Sequence, residues 1–82
     1  MDNRKRSSKT ENQNQVNFTI GNNIRKLRKL NGITQQVLSE SLNVTFQQLQ
    51  KYEKGKNYFP ACRLPDLAKF FLVPINTFFE DK

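Results

Sequence analysis

Residues 34–55 read as two short helices joined by a tight turn, and no other stretch limits the possible folds so strongly. Thr45 followed three residues later by Gln48 is a capping box that starts the second helix of the pair. Val44 before the cap and Leu49 four places after it form the matching hydrophobic staple. The first helix of the pair carries a weaker version of this signal, with Thr34 as N-cap and Ile33 and Leu38 placed to staple it. Asn43 stands where that helix stops and the chain turns sharply, because Asn tolerates left-handed backbone best after Gly. Gly55 ends the second helix in the same way.

Spacing decides what the second helix exposes. Leu49 and Tyr52, three apart, belong to the buried stripe, which leaves Phe46, Gln47, Gln50, Lys51 and Lys54 on the other faces. A solvated helix face ordinarily mixes Glu with Lys, whereas Glu53 is the single carboxylate here. Such a helix can approach a polyanion without strong repulsion. Its row of glutamines carries the donor and acceptor pairs that read base edges.

The composition points the same way. The chain has 82 residues and a formal net charge of +7, with 14 Lys and Arg against 7 Asp and Glu, and a pI near 9.9. That length allows one small domain, and that charge favours nucleic acid as partner, with an anionic membrane surface second. The longest apolar run, Phe70 to Val73, is cut by Pro74 and is far short of a membrane span. No apolar stretch follows the basic N-terminus to make a signal peptide, so the expected location is the cytoplasm. Cys62 is alone and His is absent, which excludes a disulfide framework or an ordinary zinc site within one chain. No metal or cofactor is expected. Cys62, beside Ala61 and Leu64, is expected to be a small, partly buried side chain rather than a reactive thiol.

Along the chain, residues 1–16 are nearly all polar, with Arg4, Lys5, Arg6 and Lys9 among Ser, Asn and Gln. They read as a disordered basic arm, either a passive tail or a non-specific phosphate contact. Residues 17–82 form the folded domain. Ile20, Ile24, Leu27 and Leu30 recur at helical intervals and Gly32 closes that first helix, whose Arg25, Lys26, Arg28 and Lys29 fall around its polar sides. After the loop Lys56 to Pro60 a fourth helix is expected from about Ala61 to Leu72, with Leu64, Leu67, Ala68 and Phe71 facing inward. Pro65 is tolerated there because it falls in the first turn. Pro74 opens a last short helix, Ile75 to about Phe79. The adjacent pairs Phe70–Phe71 and Phe78–Phe79 cannot easily point both members at one core, since successive helical residues lie about a hundred degrees apart. One of each is expected on a patch for dimerisation.

Several of these elements together resemble the lambda repressor, Cro and Xre-like family of bacterial helix-turn-helix regulators. They are Ile24-Arg25-x-Leu27-Arg28, Thr34-Gln35, Val44-Thr45, Tyr52-Glu53-x-Gly55 and Leu67-Ala68, and the match covers Ile20 to Phe79, about three quarters of the chain. The resemblance implies an all-α, compact five-helix bundle that dimerises and lays its third helix in the major groove. It implies Phe46, Gln47 and Lys51 at base-facing positions, a phosphate contact for Gln35, and backbone contacts for Gln48 and the Lys54 to Lys56 loop. Thr45 at the start of the third helix joins this DNA-binding set. Arg28 and Glu53 occupy positions that pair in the family. Three residues depart from its pattern: Asn43 where Gly is frequent, Ser39 where Ala is usual, and Phe46 where polar residues are common. An aromatic at that last position can touch a thymine methyl but cannot make a bidentate hydrogen bond.

The expected function is therefore a sequence-specific DNA-binding transcriptional regulator, a repressor, acting as a homodimer on a palindromic operator. The alternative is an antitoxin-like module that binds a partner protein as well as its own operator. An RNA-binding module would call for an aromatic stacking platform or a GXXG loop, and neither is in the sequence. An enzyme is not expected, because there is no nucleophile with a base, no convergent carboxylate pair and no phosphate-cradling loop.

Overall fold

The computed structural model describes residues 3–80, with side chains described from position 15 onward. Four α-helices follow one another: α1, Asn3–Leu30; α2, Gln35–Leu42; α3, Phe46–Glu53; and α4, Leu64–Phe71. Two 3-10 segments, Ala61–Arg63 and Ile75–Phe79, complete the chain, and no strand occurs among the described residues.

The count of five α-helices is thus corrected to four. Five residues between Pro74 and Glu80 close into 3-10 geometry, with Thr77 N–H donating to Pro74 C=O at 3.0 Å and Glu80 N–H to Thr77 C=O at 3.3 Å. Short closing segments of this kind commonly take i→i−3 bonding. The expected helix over 61–72 is likewise divided: Ala61–Arg63 is 3-10 and the α-helix proper begins at Leu64, with Pro65 in its first turn. Cys62 falls in that 3-10 segment and is exposed, contrary to the partial burial expected of it. The chain is anchored on either side of it, by Phe59 and Leu64, and the segment between them crosses the surface.

The backbone of residues 3–16 runs on as the first turns of α1. Once the packed turns of a helix exist, adding Lys, Arg, Gln and Glu residues to its end needs no new nucleus. Packing begins further on, since Ile20 is the first buried apolar residue among those described. Met1, Asp2 and the side chains of 3–14 lie outside the described residues, so the roles considered for Arg4, Lys5, Arg6 and Lys9 are outside them too.

The core gathers around Ile24, Leu38, Leu49, Leu67 and Phe78, each essentially inaccessible to solvent. Burying one such side chain contributes about 1.5–3 kcal/mol. Ile33 and Val44, the two staple residues that precede the caps, pack against this cluster and set the entry angles of α2 and α3. Leu30 is an exception to the periodic stripe: it lies 81% exposed at the end of α1.

All four helices end in the same reverse turn. The residue after α2 and α4, and the second residue after α1 and α3, takes a left-handed conformation, and paired 6→1 and 5→2 bonds close a Schellman motif. After α2, Val44 N–H donates to Ser39 C=O and Asn43 N–H to Glu40 C=O; after α3, Lys56 N–H donates to Lys51 C=O and Gly55 N–H to Tyr52 C=O. The left-handed residues are Gly32, Asn43, Gly55 and Leu72. Three of them are of a type that suits the position. Leu72 is not, and it is also 89% exposed.

Candidate nucleic-acid interface

The position of α3 is fixed from behind by α1. Gly21 lies against the carbonyl groups of Tyr52 and Glu53, at a crossing where a β-carbon would overlap the Tyr52 oxygen. Gly55 meets the same helix: its left-handed φ of 73° needs glycine, and a β-carbon there would come within 2.7 Å of the Phe18 Cα. Asn23, on the buried side of α1, donates from Nδ2 to the carbonyls of Phe78 at 2.9 Å and Glu80 at 2.8 Å, tying down the closing 3-10 turn. The C-terminus of α2 is held from α4's side, where Arg63 Nη1 donates to the Leu42 carbonyl.

A charged cluster joins the three helices of the site. Arg28 of α1 donates from Nε to Glu53 Oε2 at 2.7 Å and from Nη2 to Oε1 at 3.1 Å, a bidentate pair. Arg28 Nη1 also donates to the Ile33 carbonyl at 3.0 Å, in the turn before α2. Gln35, at the start of α2, adds a bond from Nε2 to Glu53 Oε1 at 2.9 Å. Both charged side chains are buried, Arg28 at 11% exposure and Glu53 at 2%. Arg28 therefore does not share the polar sides of α1 with Arg25 and Lys29, where the periodicity alone puts it. Gln35 is half-buried, and one of its amide hydrogens is spent inside the protein instead of on the surface.

The outward side of α3 is built by its caps. Thr45 Oγ1 accepts the Gln48 N–H at 3.0 Å, as Thr34 Oγ1 accepts the Val37 N–H at 3.1 Å at the start of α2. Leu49, Tyr52 and Glu53 are turned inward, while Phe46, Gln47, Lys51 and Lys54 are exposed and Gln48 and Gln50 are half-buried. The outer face thus carries two cations and no carboxylate. Gln48 and Lys56 line one cleft of about 410 Å³ together with Asn17, Asn57 and Tyr58, so the start of α3, the loop after it and α1 meet at one concave polar surface. Tyr52 stacks edge-on against Phe59, ring centres 4.9 Å apart, which fixes that loop to the back of α3.

This constellation, two capped helices crossing over one reverse turn with an acid-free face on the second, is that of a helix-turn-helix. A family model described as helix-turn-helix matches residues 24–78. The chain belongs to that family, the lambda repressor and Xre-like one. It is similar to an uncharacterised HTH-type transcriptional regulator of Sinorhizobium medicae, 46% identical over 68 residues, which are 83% of this chain and 49% of the relative. A transcriptional regulator in the ATPase CF(0) region of Rhodospirillum rubrum is 40% identical over 74 residues, 90% of this chain and 68% of that protein. An HTH-type regulator of Rickettsia conorii is 42% identical over 65 residues, 79% of this chain and 52% of that protein. The chain spans about half the length of most of the curated relatives it matches. In helix-turn-helix terms α2 and α3 are the motif and α1 is its support. No helix among the described residues is long and apolar enough to cross a membrane.

The sequence motifs do not single out Gly21, Asn23, Arg63 or the Gln35–Glu53 bond. Two of them left a trace in the sequence. A glycine inside a helix costs about 1 kcal/mol against alanine and so implies a close approach. An asparagine between Ile20 and Ile24, three residues from one and next to the other, sits on the stripe that faces the core and must find partners there.

Proposed function

We propose that this chain is a sequence-specific DNA-binding transcriptional regulator, a repressor, that inserts α3 into the major groove of a palindromic operator as a homodimer. The observation that carries this reading is the division of α3: its one carboxylate is turned inward and neutralised by Arg28, while Phe46, Gln47, Lys51 and Lys54 face out. In a groove, Gln47 can bond adenine N6 and N7 together and Lys51 can donate to guanine O6 or N7. On this reading Thr45 and Gln48 at the start of α3, and Lys54 and Lys56 at its end, contact the DNA backbone, and Gln35 keeps a second amide hydrogen for a phosphate. The net charge of +7 supplies the sequence-independent part of the affinity. A regulator of this kind acts where bacterial DNA lies, in the cytoplasm.

Self-association is supported by the segment from α4 to the closing 3-10 turn. Of each phenylalanine pair one member is buried, Phe71 and Phe78, and the other is out, Phe70 at 41% and Phe79 at 50% exposure; Leu72 and Ile75 are exposed in the same segment. Selection of binding sites from random duplex DNA tests the whole reading. It should enrich a two-fold symmetric sequence whose half-sites lie about 34 Å apart, one turn of B-DNA. Failure to enrich any sequence contradicts it, and co-purification of an unrelated chain would instead favour an antitoxin-like module.

A further inference from the structure

Phe46 is the first residue of α3 and sits 38% exposed on a face whose other outward side chains are Gln47, Lys51 and Lys54. The core around α3 is closed without it, by Leu49 and Tyr52. Side chains on a helix tilt toward its N-terminus, so the first residue reaches past the helix end with no preceding turn to cover it. In recognition helices that end is the one closest to the base edges. A phenyl ring there can neither donate nor accept, so over a G·C pair it would leave the groove's polar edges unsatisfied. The one apolar feature of the major-groove edge is a methyl group on C5 of a pyrimidine.

We propose that Phe46 is a specificity-determining residue that reads such a C5-methyl group, one per half-site, beside the base pair read by Gln47. The inference rests on the DNA-binding reading above. Two bases carry the group: thymine as it stands, and cytosine once methylated. A site containing cytosine at that position is therefore bound better when its C5 is methylated, which makes this regulator sensitive to base modification at one pair per half-site.

The test uses the full chain and the duplex that emerges from random-site selection. Each thymine of a half-site is replaced in turn by uracil, which differs only in lacking the methyl group. At the position Phe46 faces, the symmetric replacement in both half-sites should weaken binding about fourfold for each buried methyl lost, or about sixteenfold for the two. Cytosine placed there should bind more weakly than 5-methylcytosine by a similar factor. Phe46→Ala should bind the thymine and uracil duplexes equally, and Phe46→Gln should do the same. Indifference of the unaltered chain to uracil at every position overturns the assignment of Phe46 while leaving the DNA-binding reading in place. A selection that enriches no sequence overturns both. Equal uracil sensitivity in Phe46→Ala shows that another side chain meets the methyl group and contradicts the proposal.

Discussion

Gly21 of α1 and Tyr52 of α3 meet backbone to backbone: a β-carbon on Gly21 would overlap the Tyr52 carbonyl oxygen and lie 3.0 Å from that of Glu53. This crossing sets how far α3 stands out from the domain. Gly21→Ala should destabilise the fold by about 1–3 kcal/mol through overpacking, although alanine gains up to about 1 kcal/mol in helix propensity. Denaturant midpoints check this. A more stable variant would mean that the two helices can move apart freely.

The Arg28–Glu53 pair is the second element of the frame. Removing one partner of a buried pair leaves the other charge uncompensated, which costs about 3–5 kcal/mol. Glu53→Ala also strands the Gln35 amide, so it should fall in this range, and the loss should appear in thermal unfolding without DNA. Stability within about 0.5 kcal/mol of the unaltered chain, the range of an unimportant surface substitution, would contradict the geometry.

Leu72 adopts φ 59° and ψ 46°, a left-handed conformation that costs a non-glycine residue about 1–2 kcal/mol. Its side chain is 89% exposed, so removing it sacrifices little burial. Leu72→Gly should therefore stabilise the isolated chain by about 1 kcal/mol. Calorimetry at a concentration low enough to keep the chain monomeric measures it. An unchanged or lower Tm would mean that the leucine is held there by contacts within its own chain.

Phe79→Asp places a charge on the exposed partner of the buried Phe78. It should weaken self-association while leaving monomer stability within about 0.5 kcal/mol. Sedimentation of the variant and the parent at matched concentrations decides the point. A variant that dimerises as tightly as the parent removes this segment from the interface.

Much of the motif is legible in the sequence because its signals are local. Thr34 and Thr45 as caps, Ile33 and Val44 as staples, Asn43 and Gly55 at the reverse turns, and the outward set Phe46, Gln47, Lys51 and Lys54 all follow from residues a few places apart. What is hidden depends on contacts distant in the chain: Gly21 against Tyr52, Asn23 reaching Phe78 and Glu80, Arg63 capping α2. Periodicity misplaces Arg28, since a long cation on the edge of the stripe turns inward only when an acid waits there, and Glu53 is supplied by another helix. It misplaces Leu30 for the opposite reason, because α1 outruns the elements that could cover its last turn. The left-handed Leu72 has no sequence signal, because a bulky non-glycine side chain is unfavourable in that conformation.

We propose that α3 reads bases while the loop after it grips phosphate. Gln47 and Lys51 are exposed on α3, whereas Lys56 follows Gly55 and lines the cleft with Gln48 and Tyr58. Affinities of Gln47→Ala and Lys56→Ala, measured across single-base variants of the selected operator and over a range of salt, separate the two roles. Gln47→Ala should lose about 1–3 kcal/mol on the best site and relax preference at one base pair per half-site. Lys56→Ala should weaken every sequence alike and lower the log–log salt slope by about 0.9 for each phosphate contact removed. Equal losses on every sequence for Gln47→Ala would contradict this division of roles, for α3 would then be holding DNA without reading it.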